Sequence, residues 1–388
     1  TKWPVRATCA WGSRRPTGTD SGRLTRRQLV ASGLAVALPM PLRAAPRAAS
    51  TRMAATWASA DGSHHTGLLS LQNEELLALD PQAPEAKSTL ELPTRAHALL
   101  AAPGGALIVV SRRPGDWLLR WRPGQPALPE WQWAEPERAF NGHAIFSADG
   151  TRLFTTETDR GSGVGLIGVR DARSLALLDE WPTHGIDPHE LLMDASGQLI
   201  VANGGVPTQP ETGRAKRALA RMDSSLVRLH AGSGQLLGQW RLDDQRLSLR
   251  HLARLPAGPL GIALQAEHDD PTERTAAPVL ALFGGERLRP CAAPESLAGY
   301  GGSIAAWGGA LWVSCPRVNG VSRFDPQGRW QGITPLTEAC ALAPDASGRH
   351  LWIGGRECAT RHGGAAPTPL QAAGLRLDNH WIHWPHGA

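Results

Sequence analysis

One frame recurs along this chain: a polar residue opens a short apolar run, a glycine-bearing turn breaks it, and a second apolar run starts about ten residues after the first. It reads RAHALLAAPGGALIVVS at His97, GHAIFSADGTRLFTTE at His143, PHELLMDASGQLIVANG at His189 and RHLARLPAGPLGIALQ at His251. The frame continues at Ser303 in GGSIAAWGGALWVSC and at Cys340 in ACALAPDASGRHLWIGG. A period of roughly 40–50 residues is that of four-stranded propeller blades. The runs are short and rich in Leu, Trp and β-branched residues, and sustained helical periodicity is nearly absent. The expected fold is therefore all-β, a seven-bladed β-propeller. Six units fall at roughly 95–126, 141–184, 187–243, 248–294, 300–336 and 339–385, and the N-terminal segment ATWASADGSHHTGLLSLQNEELLALDP, with a further strand near Ser88–Leu92, supplies the seventh.

A ring of such units buries each sheet against its neighbours. The chain has 15 Trp against 1 Tyr, and Trp117, Trp121, Trp131, Trp240, Trp312 and Trp352 are expected to pack between blades. Ahead of the repeats, Thr25-Arg26-Arg27-Gln28-Leu29-Val30 precedes the apolar stretch ASGLAVALPMPL and small residues around RAAPRAAS. Paired arginines, a short apolar region and an A-x-A-like site describe a twin-arginine signal cleaved after Ala45 or Ala49. The expected organisation is a removed leader and signal over 1–49, then one propeller domain over 50–388 in the periplasm. The apolar stretch is too short and too proline-bearing to leave a stable membrane span.

The formal charge of +5 does not indicate nucleic-acid binding, because much of the excess is arginine in the leader and no basic-aromatic sheet pattern is present. Of 5 cysteines, Cys9 lies in the leader. Cys315, Cys340 and Cys358 fall at strand ends on one face of the ring, so a disulfide among them is expected, with Cys291 the fourth thiol. No C-x-x-C or C-x-x-C-H spacing occurs, which argues against structural zinc and attached c-type haem.

The blocks ERAFNGHAIFSADGTRLFTTETDRGSGVGLIGVRDA, THGIDPHELLMDASGQLIVANGGVPTQPETGR, LSLRHLAR, and GYGGSIA with SCPRVNG resemble, in order, those of an exported bacterial domain-of-unknown-function family. The resemblance runs from about Thr56 to the C-terminus. It implies a periplasmic seven-bladed propeller associated with imelysin-type iron-uptake loci, with imelysin-like and dihaem oxidoreductase-like proteins as partners. No catalytic activity is established for that family. The chain departs from the family where a further histidine is replaced by Thr208-Gln209-Pro210-Glu211, and around Gln265–Pro271.

First strands lie nearest the axis of a propeller, so the residues opening them gather at one channel mouth. His97, His143, His189 and His251 then form an arc, with Glu157 and Glu190 as oxygen ligands and Arg112, Asn203 and Glu267 around them. Imidazole suits an Fe or Cu ion. The plainer alternative is that each histidine hydrogen-bonds a neighbouring blade and stabilises closure. The expected function is binding of a ligand or partner within an iron-uptake system. The rival is a metal-dependent oxidoreductase or hydrolase, in which Asp187, Glu157, Asn203 and Asp269 are recast around calcium. No nucleophile elbow or phosphate loop supports catalysis. The irregular stretch from Gly204 to Ser225, with its RAKRALARM core, is expected to cap the channel or dock a partner.

Overall fold

The structure, a computed structural model, describes residues 52–384 apart from 73, 80–86, 208–218, 365 and 373. The leader and signal, Gln209 and most of the basic loop core lie outside the described residues. The expected β-propeller is the fold found. Among the described residues, five separate antiparallel sheets have four strands each, and one sheet has nine. In every four-stranded sheet consecutive strands pair, as the turn-punctuated sequence requires. Ala96–Ala102, Ala106–Ser111, Trp117–Trp121 and Glu130–Trp133 are one example.

The innermost strands are Ala96–Ala102, Arg138–Phe146, Pro188–Met193, Leu247–Arg254, Ser303–Trp307, Ala341–Pro344 and Arg376–Trp384. Each touches the next and the last touches the first, so they close a ring. The closure differs from the sequence expectation. The N-terminal unit takes its innermost strand from the C-terminus, Arg376–Trp384, which pairs antiparallel with Arg52–Ala58. The C-terminal unit ends instead at Thr368–Ala372, whose short parallel pairing with Glu75–Ala78 fuses the two units into the nine-stranded sheet. Pairing the first segment with the last ties the ring shut through backbone hydrogen bonds and covers strand edges that would otherwise be open.

Apolar faces of adjacent sheets make the core. Trp117 packs with Ala54 and Leu68 of the neighbouring sheet, and Trp352 packs with Met53, Leu69 and Trp381. Trp312 packs with Leu342 and Leu351, and Trp240 lies against Leu247 and Phe283. Trp117, Trp240 and Trp312 thus pack between sheets, as expected, whereas Trp352 packs between the two halves of the nine-stranded sheet. The sequence pattern does not mark the helix Pro271–Ala276, whose N-cap Asp270 accepts from the backbone N–H groups of Thr272 and Glu273.

The expected disulfide among Cys315, Cys340 and Cys358 is not formed, since Cys291, Cys315 and Cys340 are free thiols. Cys315 is sealed in an apolar cluster with Ile304 and Val313, where its thiol donates to the Val313 carbonyl and burial pushes its pKa up to about 12. Cys340 precedes an innermost strand, partly exposed at the edge of a cavity. Alternation gives the two sulfurs different surroundings even though both belong to strand ends.

Glu157 and Arg170 are a wholly buried ion pair at 2.9 Å, with Thr155 also donating to the carboxylate. Substituting one member leaves a buried charge uncompensated. Glu157→Gln is expected to lower unfolding free energy in urea by about 3 kcal/mol while leaving metal stoichiometry unchanged. A metal stoichiometry that fell with this substitution would return Glu157 to the ligand set.

Candidate metal centre

Among the described residues, five of the innermost strands break register with their neighbour, and each break carries a histidine. Between the pairs Pro188–Asn203 and Leu191–Val201, His189 and Glu190 face Ala202 alone. Arg250 and His251 likewise face Ala263, and His97 and Ala98 face Val110. His143 lies in the break opposite Thr156, and His380 in the break opposite Thr56. A bulge bends the strand and re-aims a side chain out of the regular alternation. Here it delivers each imidazole to the axis. The two innermost strands without a register break, Ser303–Trp307 and Ala341–Pro344, carry no histidine, and Ser303 and Cys340 hold the equivalent places in the frame.

The sequence reading identified His97, His143, His189 and His251, and the structure brings all of them together. His380 lies outside that set, because its strand falls late in the unit at 339–385, which Cys340 and not a histidine opens. The signal was available in Asn379-His380-Trp381, a histidine directly before a resumed apolar run. Ring centroids are 4.6 Å apart for His97 and His380, 4.6 Å for His189 and His251, and 4.8 Å for His97 and His143. Ligand nitrogens of His97, His143, His251 and His380 all lie within 4.8 Å of one another. Around an ion with bonds of about 2.1 Å no two ligands are more than about 4.2 Å apart, so small ring rotations suffice to close the set. His189 plays a different part, its Nε2 lying 3.2 Å from Nε2 of His251 with one proton shared between them.

All five rings are neutral. Burial pulls each well below the usual histidine value, and the positive charge of neighbours, including Arg112, Arg113 and Arg250, adds to the effect. For His251 the value falls to about 3. Neutral imidazole is the ligand form. Moreover, the buried Nε2 atoms of His97, His143 and His380 have no hydrogen-bond partner. If each histidine served only to hold a neighbouring blade, those nitrogens would be bonded, since an orphaned buried polar atom costs about 1–3 kcal/mol.

Glu190 joins the site as a support. Its Oε2 accepts from the Leu252 backbone N–H at 2.7 Å and lies 3.2 Å from His251 Nδ1, while Oε1 is 3.9 Å from His143 Nδ1. With its proton on Nδ1, His251 donates to Glu190 and keeps Nε2 as an electron-pair donor, the carboxylate–histidine arrangement of metal sites. Loss of water around the carboxyl raises its pKa, against the pull of His143 and of the Leu252 N–H. Glu157 is not brought to the site, being held by Arg170 and Thr155 within its own sheet.

The carboxylates recast around calcium do not converge either. Asp187 bridges Arg113 and Arg250, and exposed Asp269 pairs with Arg246. Asn203 donates to the Thr183 carbonyl and to Ser225.

Gly142 packs directly on the cluster. Its φ of +103° suits glycine, and a Cβ there would fall 2.6 Å from Cδ2 of His97. Gly142→Ala is expected to displace the His97 ring, with a loss of about 1–3 kcal/mol of stability and a weakening of metal affinity of about tenfold. Urea unfolding and a competitive chelator titration check both. An unchanged affinity would remove His97 from the ligand set.

Among solved structures, virginiamycin B lyase from Staphylococcus aureus is similar, with a TM-score of 0.52 and 11% identity over 77% of this chain and 91% of that one. A streptogramin B lyase structure gives a TM-score of 0.51 and 11% identity over 78% of this chain and 89% of its own. Identities this low show a shared propeller fold and nothing about chemistry. No curated protein matches the chain in sequence. A family model described as a protein of unknown function, DUF1513, matches residues 90–384. Among the described residues no helix is long and apolar enough to cross a membrane.

Proposed function

The chain belongs to the DUF1513 family of proteins of unknown function, and from that premise we propose that it binds one transition-metal ion, iron or copper, on the axis of a seven-bladed ring. The count of seven takes the nine-stranded sheet as two blades joined by the pairing of Thr368–Ala372 with Glu75–Ala78. One observation carries the proposal: four neutral imidazoles have ligand nitrogens mutually within 4.8 Å, and three of them keep an orphaned buried Nε2. His97, His143, His251 and His380 are the ligands. Glu190 orients His251, and His189 gives up its hydrogen bond to His251 when the ion enters.

An all-nitrogen donor set suits Cu and Fe better than Ca or Mg, which prefer oxygen. The role that follows is capture and holding of the ion as an accessory of an iron-uptake system in the periplasm. Imelysin-like and dihaem oxidoreductase-like proteins are its partners there. The sequence resemblance supports that setting, and the paired arginines before the apolar leader agree with it.

Metal analysis of protein exported natively tests the reading. One equivalent of iron or copper in the wild type, lost in His143→Ala, is the expected result. Absence of stoichiometric metal, with equal uptake of added Fe or Cu by wild type and variant, overturns it.

A further inference from the structure

Beside the imidazoles stands a second group with unmet bonding capacity. Arg250 shares its register break with His251, and its side chain is 1% exposed. One nitrogen, Nη1, donates to Asp187 Oδ2 at 2.9 Å. Nε and Nη2 are buried and have no partner. Those two atoms form the side-on edge of the guanidinium, whose parallel N–H groups match two oxygens of one carboxylate or phosphate. Leaving such an edge dry and unpaired costs more than leaving a neutral donor so, because the group carries charge.

No hydrogen-bond partner meets this edge. Asp187 is shared between Arg250 and Arg113, so one carboxylate serves two guanidiniums. Glu267 acts on Arg250 through its field without bonding Nε or Nη2. The position of Arg250 is also held firmly. Gly204 lies against it so closely that a Cβ would meet Nη1 and Asp187 Oδ2 at 2.7 Å. The Gly204 carbonyl accepts from both Ser224 and Ser248, and its N–H donates to the Asp187 carbonyl.

We propose that the free edge of Arg250 is the seat of a small oxyanion, a carboxylate or phosphate-type group, next to the histidine cluster. The inference goes beyond metal binding and does not depend on it, because the donors belong to Arg250 alone. A free inorganic anion and a carboxylate carried by a larger ligand share this chemistry, and the probes separate them.

Calorimetric titration of chelator-treated protein with phosphate, with acetate and, as a spherical control, with chloride tests the proposal. Wild type is expected to bind phosphate or acetate and to bind chloride at least tenfold more weakly. Stronger phosphate binding assigns the free anion, and stronger acetate binding assigns a ligand carboxylate. Arg250→Lys keeps the charge and loses the paired donors, so its affinity for the preferred oxyanion is expected to fall about tenfold. Asp187→Asn removes the competing carboxylate, so its affinity is expected to rise severalfold. That opposite sign distinguishes the site from general damage to the fold, which would weaken both variants. No detectable oxyanion binding at 10 mM, taken as about the upper limit for a specific site, or equal binding by wild type and Arg250→Lys, overturns the proposal. Metal content measured on the same samples reports on the histidine site separately.

Discussion

Replacing His143 or His251 by alanine is expected to weaken binding of Cu(II) by about a hundredfold or more, while Glu190→Gln weakens it by about 10–100-fold. The difference follows from position. His143 and His251 supply ligand nitrogens within 4.8 Å of those of His97 and His380. Glu190 acts only through the Nδ1 side of His251 and of His143. A fourth substitution serves as the control: His362 is buried edge-on against Trp312 outside the ligand group, and His362→Ala is expected to leave affinity unchanged. Competition with a chelator of known affinity measures all four. Equal losses across them would mean general loosening of the fold, and no loss in His251→Ala would dismiss the axial site.

Metal-free protein is expected to lose stability steeply as pH falls below about 6.5. The sign follows from the direction of the shifts. Five rings hold their folded pKa values below the ordinary value of 6.5, His251 at about 3. Between the two values the unfolded chain takes up protons that the folded chain refuses, so stability is complete above 6.5 and falls as the solution becomes more acid. By pH 5.5 each ring contributes a loss on the order of 1 kcal/mol. The carboxyls of Glu157 and Glu190, whose pKa values are raised, act in the opposite direction, but only as pH rises through 4.5 and above. Urea unfolding at pH 7.5 and at 5.5 measures the slope, and His251→Ala should flatten it. A stability that is level or rises on acidification would show that the rings are not sealed from protons.

The repeating frame was legible because blade geometry imposes one spacing on every first strand. It led to the propeller that the structure shows, and it named four of the five histidines that the structure brings together, with Glu190 beside them. His380 escaped because the frame was read along the chain, whereas ring closure hands the last strand to the first blade. Glu157 was misplaced for a related reason. Strand ends on one face of a ring need not point at the axis, and the alternation of its strand turns Glu157 toward Arg170 and gives Thr156 the contacts with the His143 and His189 carbonyls. The cysteine pairing failed on the same ground, since a shared face is a weaker condition than a shared environment.

Patterning of apolar runs and turns therefore decides the architecture and marks the residues that reach the channel, because both depend on local spacing along the chain. Whether those residues form a ligand set depends on where five separate strands break register and on which end of the chain supplies the closing strand. These are matters of pairing between distant segments, and they settle whether an imidazole meets the axis, a neighbouring backbone or water.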